Sequence, residues 1–319
     1  MSSSTKDDIF VSTMANKVSH KLFHSKLLLF GEHIINKGAR GLAIPLEGYD
    51  GILKFGALRD KHVKESNESL EQLANYIIHH EQIAEQYDTN QMLEDIEKGL
   101  YFDSNIPQGY GLGSSGALVA AVYHQYNKHK KKSKPTGIIK NELALLESHY
   151  HGKSSGLDAI VCYLNKAVIV DNGEVSETFD LPASKNGAMR VFAINTHVAR
   201  STSPFVNAFL EKCKEKKFMT TVQQSLVPAN DIAIDSFLNR NYSELWKSTK
   251  IISQLQMDMI PEFIPKAFHD VWKTGLRTDQ FHLKTCGAGG GGFIIGFTKN
   301  DTELPSSLGG LDVKELMKF

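Results

Sequence analysis

A loop of small residues that runs directly into an apolar segment constrains this sequence more than any other stretch. Residues 107–116 read PQGYGLGSSG, and the proline and glycines exclude a regular strand or helix up to Gly113. The apolar residues of Ala117–Tyr126 share one broad face, which predicts a helix. Ser114 or Ser115 can cap the start of this helix, because a serine side chain accepts a first-turn N–H. The stretch therefore predicts a tight loop that opens a buried helix.

The same loop has the features of a phosphate site. A glycine-rich turn at a helix N-terminus directs several backbone N–H groups at one point, where the helix dipole adds positive potential. The hydroxyls of Ser114 and Ser115 are oxygen ligands that suit Mg²⁺. Taken alone, the loop leaves phosphate binding and a purely structural turn equally open.

Other nucleotide-binding patterns fit the loop less well. Residues 111–116 match G-x-G-x-x-G, but a Lys-rich stretch at 128–134 stands where a dinucleotide fold places its acidic ribose ligand. The loop lacks the Gly-Lys-Ser/Thr end of a Walker A motif, and the sequence has neither His-Arg-Asp nor Asp-Phe-Gly of protein kinases. A nicotinamide-dependent oxidoreductase and a non-catalytic binding protein remain as remote alternatives.

Charge and cysteine content exclude several classes of protein. The 319 residues contain 36 Lys+Arg and 36 Asp+Glu, and this zero net charge argues against a nucleic-acid partner. Three scattered cysteines predict a reducing, cytoplasmic location. The polar N-terminus has no signal-peptide core and no apolar run could span a membrane, so no membrane partner is expected.

The apolar patterns predict an α+β protein of two domains. The N-terminal region is expected to form antiparallel hairpins, with a turn at Tyr49–Gly51 between two short strands. A polar, Pro- and Gly-containing linker at 181–187 predicts a boundary between domains 1–185 and 186–319. A hairpin is expected at Ala167–Val175. Helices are expected at Ser66–His80, Asn90–Lys98, Thr136–His151, Pro204–Lys216, Ser225–Asn239 and Tyr242–Met257.

Three polar residues outside the loop could complete a site for phosphoryl transfer. That reaction needs a phosphate cradle, a metal ligand, a cation and a group that holds the attacking hydroxyl. Glu147 stands beside the apolar stripe of a helix, Lys26 enters a buried strand, and Asp158 follows a Gly- and Ser-rich loop. Each of these residues alone also has an ordinary structural explanation.

Three motifs in order give the chain a resemblance to a known superfamily. Residues 26–33 (KLLLFGEH), 109–117 (GYGLGSSGA) and 284–292 (KTCGAGGGG) resemble the motifs of the small-molecule kinases that include galactokinase, homoserine kinase, mevalonate kinase and phosphomevalonate kinase. Residues 147–158 (ESHYHGKSSGLD) and 195–202 (NTHVARST) are similar to segments of the mevalonate kinase family. The motifs span nearly the whole chain.

The resemblance implies a fold, cofactors and a reaction. The fold would have a ribosomal-protein-S5-like N-terminal domain and an α/β C-terminal domain with a deep cleft between them. The cofactors would be ATP and Mg²⁺, and the protein would be a monomer or a homodimer. The acceptor would be the primary hydroxyl of mevalonate, with phosphomevalonate, homoserine or a sugar such as galactose as alternatives.

The resemblance also implies residue roles. Asp158 would accept the proton of the acceptor hydroxyl or hold that hydroxyl in line, with Lys26 close by favouring its ionised form. Ser115 and Glu147 would hold Mg²⁺. The nucleotide phosphates would contact Gly109, Gly111, Leu112, Gly113, Ser114, Ser115 and Gly116, and the acceptor side would comprise Glu32, His33, Thr202, Gly287 and Ala288.

The chain departs from the family pattern at several positions near the expected acceptor pocket. Tyr110 replaces a small residue in the glycine loop, Cys286 stands where Thr or Ser is common, and His197 replaces a lysine. Lys153 and Ser154 replace a familiar Asn-Pro pair. None of these changes removes an implied catalytic group, but pocket shape decides the acceptor.

Overall fold

The computed structural model describes residues 19–130, 132–181, 188–199, 203–299 and 303–318. It confirms the α+β class. The helices are α1 (Lys61–His79), α2 (Thr89–Glu97), α3 (Ser114–Tyr126), α4 (Thr136–His151), α5 (Leu157–Leu164), α6 (Ser203–Lys212), α7 (Lys216–Thr221), α8 (Val227–Leu238), α9 (Tyr242–Met259) and α10 (His269–Thr278). The strands are β1 (Phe23–Phe30), β2 (Gly41–Phe55), β3 (Leu100–Ser104), β4 (Ala167–Asp171), β5 (Glu174–Phe179), β6 (Arg190–Asn195), β7 (Phe281–Thr285), β8 (Phe293–Thr298) and β9 (Val313–Lys318).

The chain forms two compact units that interleave along the sequence. Unit 1 comprises the described parts of residues 1–26, 45–106 and 113–165, and unit 2 comprises those of residues 27–44, 107–112 and 166–319. Strands β1 and β2 therefore contribute residues to both units. The single boundary at residue 185 stays a prediction, and it falls on residues 182–187, which lie outside the described part of the chain.

Unit 1 consists mainly of helices that pack on one another and on a strand pair. The C-terminal part of β2 pairs antiparallel with β3, from Gly51 opposite Ser104 to Phe55 opposite Leu100. Helix α1 is joined to β3 by the buried Asn67 side chain, which donates to the carbonyls of Ile96 (2.8 Å) and Leu100 (2.7 Å). Helix α3 packs between α4 and α5, and most of its side chains are buried because it has apolar residues all round. This packing fixes the positions of the N-termini of α3 and α5 and of the C-terminus of α4.

Unit 2 is built on a four-stranded antiparallel sheet in the order β7-β8-β6-β9. Alternate residues of its strands face α9 and α10, where Phe192, Phe281 and Trp272 form the centre of an apolar core. The indole N–H of Trp272 donates to the carbonyl of Ser253 (3.2 Å), so its polar edge is satisfied inside this core. The N-terminal part of β2 pairs with β4, and β4 pairs with β5 in the predicted hairpin.

One predicted turn is wrong, because β2 continues through Tyr49–Gly51 as a strand of 15 residues. The glycine that suggested the turn has another role. A Cβ atom on Gly51 would lie 2.0 Å from the ring of Phe102 on the neighbouring strand, so Gly51 leaves room for that ring. The sequence pattern of Gly after Asp could not distinguish the two uses, since the partner strand is almost fifty residues away.

The predicted helices are present, and most of their ends are shifted from the predicted residues. The predicted start at Ser66 is late by more than a turn, since α1 begins at Lys61 and its first five residues, KHVKE, contain a single apolar residue, the buried Val63. The chain between α7 and α8 forms a π-helical turn, Val222–Leu226.

Cys162, Cys213 and Cys286 are free thiols. No helix in the described ranges has the length and apolarity needed to cross a bilayer.

Candidate active site

A buried lysine holds a partly exposed carboxylate in unit 1. Lys26 lies on β1 and is only 6% exposed, whereas the side chain of Asp158 is 32% exposed. Lys26 Nζ lies 2.8 Å from Asp158 Oδ1. Asp158 stands in the first turn of α5, which begins after Gly156 in the left-handed conformation. The ion pair thus presents a carboxylate to solvent from a fixed position.

A second carboxylate, Glu147, is buried beside this pair. It lies near the C-terminal end of α4 and is 2% exposed. Its Oε1 accepts a hydrogen bond from the Ser115 hydroxyl (3.4 Å), and its Oε2 accepts one from the Ser154 hydroxyl (2.5 Å). Burial and then the nearby charge of Asp158 raise the pKa of Glu147 to about 7, while the Ser154 bond, Lys26 and the Ser115 bond oppose that rise. Burial and the neighbouring negative charge therefore outweigh the stabilisation that Lys26 and the two hydroxyls give to the ionised form of Glu147.

The start of α3 differs from its prediction in one respect. Gly113 is the N-cap, in the left-handed conformation at φ +72°, and its carbonyl accepts the Ala117 N–H (2.9 Å). The predicted serine cap is therefore wrong, because Ser114 and Ser115 are the first residues of the helix itself. The hydroxyl of Ser115 bonds instead to Glu147 and, at 3.0 Å, to Nε2 of His151. This leaves the first-turn N–H groups of α3 without partners within the helix.

The first turns of α3 and α5 touch each other. A Cβ atom on Gly116 would lie 2.9 Å from the backbone nitrogen of Ala159 and 3.0 Å from Cβ of Asp158. A Cβ atom on Gly113 would lie 3.0 Å from Cγ of Lys26. Glycine is required at both positions because the two helix N-termini and β1 approach closely there. Two positive helix ends and a lysine consequently surround one point, which favours an anionic ligand.

The donors of this site fit Mg²⁺ that is shared with a phosphate ligand. Mg²⁺ commonly takes one or two protein carboxylates and completes its octahedron with phosphate oxygens and water. Glu147 and Ser115 supply a carboxylate and a hydroxyl next to the helix N-termini. Over the ranges that the structure describes, no group of three or more His, Cys, Asp or Glu side chains could hold a metal ion.

Unit 2 contains a different buried ion pair. Glu32, just after β1, contacts the ammonium of Lys284 on β7, and the two side chains are 3% and 2% exposed. Lys284 also donates to the carbonyl of Thr285 (2.9 Å). The neighbouring His33 adopts φ +64°, and its ring stacks on Phe209 at a centroid distance of 4.8 Å. The polar end of this strand is therefore anchored inside unit 2.

The third glycine motif packs on the beginning of the glycine loop, also within unit 2. A Cβ atom on Gly292 would lie 2.9 Å from the carbonyl oxygen of Tyr110. The ring of Tyr110 lies 5.4 Å from that of Phe293. Gly109 and Gly111 both have positive φ angles, 78° and 74°. The third motif is therefore in contact with the glycine loop, and the contact uses the bulky Tyr110 at the position where a small residue was expected.

The structure divides the predicted site residues into two groups. It brings Lys26, Glu147 and Asp158 together around the start of α3, as the phosphoryl-transfer hypothesis requires. Thr202 lies outside the described residues. Unit 1 holds Lys26, Gly113, Ser114, Ser115, Gly116, Glu147 and Asp158, and unit 2 holds Glu32, His33, Gly109, Gly111, Leu112, Gly287 and Ala288.

Three further residues belong to these clusters and had no predicted role. His151 follows Glu147 by one helical turn, so the i, i+4 spacing could have placed both on one face. Lys284 stands in a strand whose other residues are buried, which marks its charge as one that needs a partner. Ser154 lies in a loop, and nothing in the local pattern indicates that its hydroxyl reaches Glu147.

Comparisons by sequence match part of the chain. The family model described as the GHMP kinase N-terminal domain matches residues 75–166, which include the glycine loop, Glu147 and Asp158. A mevalonate kinase of Dictyostelium discoideum is 24% identical over 230 residues, 63% of this chain and 58% of that protein. The chain thus spans somewhat more than half the length of this relative.

Solved structures share the fold across nearly the whole chain. A mevalonate kinase of L. major in complex with R-mevalonate matches with a TM-score of 0.63 at 13% identity, over 93% of this chain and 95% of the other. A phosphomevalonate kinase of Streptococcus pneumoniae matches with a TM-score of 0.64 at 14% identity, over 94% and 98%. A galactokinase of Lactococcus lactis matches with a TM-score of 0.61 at 15% identity, over 98% of both chains. At these identities the likeness establishes the two-domain fold and leaves the acceptor open.

Proposed function

We propose that the chain is a small-molecule kinase of the GHMP superfamily that transfers the γ-phosphoryl group of ATP to the hydroxyl of mevalonate. The observation that carries the proposal is the cluster of Lys26, Asp158, Glu147 and Ser115 at the paired N-termini of α3 and α5. These side chains come from four separate segments of the chain. Such a convergence of a cation, two carboxylates and a phosphate-binding turn matches the requirements of phosphoryl transfer.

Each group has a chemical task in this reaction. The N–H groups at the start of α3 bind phosphate oxygens, and Glu147 with Ser115 holds Mg²⁺. Mg²⁺ and ATP, when bound, supply the transferable phosphoryl group and neutralise charge on it. Asp158 accepts the proton of the attacking hydroxyl or holds that hydroxyl in line, while Lys26 keeps the Asp158 carboxylate in place at 2.8 Å. A bond forms from the acceptor oxygen to phosphorus, the bond to the ADP oxygen breaks, and ADP leaves.

Mevalonate is the acceptor that the sequence favours within the superfamily. Residues 147–158 resemble the segment of the mevalonate kinase family, and a mevalonate kinase is the relative found by sequence. The departures at His197 and Cys286 lie in segments implied to shape the acceptor side, and Tyr110 lies in the glycine loop. Phosphomevalonate, homoserine and galactose are therefore the alternatives that an assay must include.

An acceptor panel tests the proposal. ADP release is measured with ATP and Mg²⁺ for mevalonate, phosphomevalonate, homoserine and galactose side by side, and phosphorylated product is identified by mass spectrometry. We expect mevalonate to give the highest kcat/KM and a phosphomonoester product. The Asp158→Asn variant serves as the control for acceptor-independent ATP hydrolysis. A higher kcat/KM for another acceptor would replace mevalonate, and no product with any acceptor would contradict the kinase assignment.

A further inference from the structure

Ser154 occupies one oxygen of the buried Glu147 carboxylate and leaves the other to Ser115. Resting on the proposed function, we propose that Ser154 is a positioning residue that orients Glu147 for the Mg²⁺ of the nucleotide. Oε2 accepts the Ser154 hydroxyl at 2.5 Å, whereas Oε1 lies 3.4 Å from the Ser115 hydroxyl. The shorter bond holds the carboxylate, and the longer contact lies on the side where Ser115 and Glu147 would share a cation.

The orientation of the Ser154 hydroxyl follows from its other contacts. Its oxygen accepts the backbone N–H of Gly156 at 3.0 Å. One lone pair of the hydroxyl accepts from Gly156, and its single proton is donated to Glu147 Oε2. The hydroxyl therefore acts as a donor to the carboxylate, and it binds the ionised form that a cation requires.

The backbone of Ser154 is anchored as firmly as its side chain. Its N–H donates to the Ser148 hydroxyl at 3.1 Å, and that hydroxyl donates to the carbonyl of Ala144 one turn earlier on α4. Ser154 is thereby tied to the same helix that carries Glu147. A positioning residue needs this kind of support, because a hydroxyl on a mobile loop would not fix the rotation of the carboxylate.

A proline at this position could make none of these bonds, since it lacks both the hydroxyl and the N–H. The familiar Asn-Pro pair is replaced here by Lys153 and Ser154. The hydrogen bond to Glu147 Oε2 therefore depends on the serine that this chain has in place of the proline. Ser154 would act through Glu147, which makes it a positioning residue distinct from the proposed phosphate-binding and catalytic groups.

Metal binding in the absence of acceptor provides the test. Mn²⁺ replaces Mg²⁺ as the probe, and its affinity for the full-length protein with a non-hydrolysable ATP analogue is measured by electron paramagnetic resonance. We expect Ser154→Ala to weaken Mn²⁺ binding about tenfold, with little change in the metal-free affinity for the analogue. Ser154→Thr should restore the affinity because it keeps the hydroxyl, and Ser154→Cys should weaken it because a thiol is a poor donor.

Ser176→Ala is the matched control. Like Ser154→Ala it removes a serine hydroxyl that donates a hydrogen bond, here from an exposed residue to the carbonyl of Ile169 at 3.3 Å in the β4–β5 hairpin. Its Mn²⁺ affinity should equal that of the unmodified protein. Far-UV circular dichroism and urea unfolding check that each variant is folded, and Ser154→Cys decides the question if Ser154→Ala does not fold.

The outcomes separate this inference from the kinase assignment. Mn²⁺ affinity within twofold of the unmodified protein in folded Ser154→Ala and Ser154→Cys variants would overturn the role of Ser154, whatever the acceptor panel shows. Absence of nucleotide-dependent Mn²⁺ binding in the unmodified protein would also overturn it. If the variants weaken metal binding as expected but no acceptor is phosphorylated, the inference on Ser154 stands and the proposed reaction fails.

Discussion

The ammonium nitrogen of Lys26 lies 2.8 Å from Oδ1 of Asp158, although one residue stands on strand β1 and the other in the first turn of helix α5. Gly113 makes this approach possible, because any side chain there would lie against Lys26 and within 3.3 Å of Asp158 Oδ2. The ion pair and the cap of α3 therefore depend on one another. The ion pair of the proposed site and the left-handed cap of α3 thus involve the same three residues, Lys26, Gly113 and Asp158.

Replacement of Asp158 by Asn tests the role of its carboxylate. The amide keeps the size of the side chain but cannot accept a proton from the hydroxyl. We expect kcat to fall by about 10²–10⁴-fold, the range for a positioned acid–base group, while the Kd for ATP changes little. Steady-state kinetics and calorimetric titration with ATP measure the two quantities. Near-normal turnover in this variant would contradict the assignment of Asp158.

Gly113→Ala tests the close approach at the start of α3. Its φ of +72° strains any residue with a Cβ by about 1–2 kcal/mol, and the added methyl group also presses on Lys26 and Asp158. We expect a lower free energy of unfolding by urea together with a loss of kinase activity. The two effects have different causes, so they can be separated by a control.

Gly173→Ala is that control. Gly173 has a φ of +82°, but a Cβ atom there would meet nothing within 4 Å. The control should lose a similar amount of stability and keep full activity. Equal activity in the two variants would show that the space around Gly113 does not matter to the reaction.

The pKa of Glu147 predicts how stability varies with pH in the protein without nucleotide and metal. The value rises from 4.5 to about 7 on folding, so between these pH values the folded state retains a proton that the unfolded state releases. The free energy of unfolding should therefore fall as pH rises through this interval, by roughly 3 kcal/mol at most. Urea unfolding between pH 4.5 and 7.5 measures the slope.

The Glu147→Gln variant isolates this contribution. An amide does not titrate, so the part of the slope that belongs to Glu147 should disappear from the variant. Identical pH profiles for the variant and the unmodified protein would mean that Glu147 is ionised throughout. Saturating Mg²⁺ with an ATP analogue should also flatten the profile of the unmodified protein, because a cation favours the carboxylate.

The buried pair of Glu32 and Lys284 predicts a large effect on stability. Lys284→Met removes the ion-pair partner of a carboxylate that is 3% exposed, and loss of one partner of a buried pair typically costs about 3–5 kcal/mol. The double variant Glu32→Gln/Lys284→Met should recover part of that loss because no buried charge is then left uncompensated. Urea unfolding of the single and double variants measures both.

An exposed pair supplies the comparison. Lys54 Nζ lies 2.7 Å from Asp103 Oδ2, but the two side chains are 47% and 39% exposed. Lys54→Met should cost no more than about 1 kcal/mol. A Lys284→Met variant as mild as Lys54→Met would show that the buried pair contributes little to the fold.

Helices with a regular apolar stripe could be predicted from the sequence, and irregular features could not. Helix α4 was expected to begin at Thr136 and to end before Gly152, and it runs over Thr136–His151, because its apolar stripe and terminal glycine are local signals. The continuous strand β2 was missed because the reason for Gly51 is the ring of Phe102 on another strand. A local pattern contains no information on such a partner.

The sequence by itself determined which residues are candidates for the proposed chemistry. The glycine loop can be recognised because its residues are consecutive in the sequence. Each of the other three residues, Lys26, Glu147 and Asp158, stands in a short motif of its own or next to one. Only the tertiary structure decided how these groups are arranged. It made Gly113 the cap in place of a serine, joined Ser154 to Glu147, and paired Lys284 with Glu32. These contacts depend on the packing of separate helices and strands, and packing follows from the whole chain and not from any one segment of it.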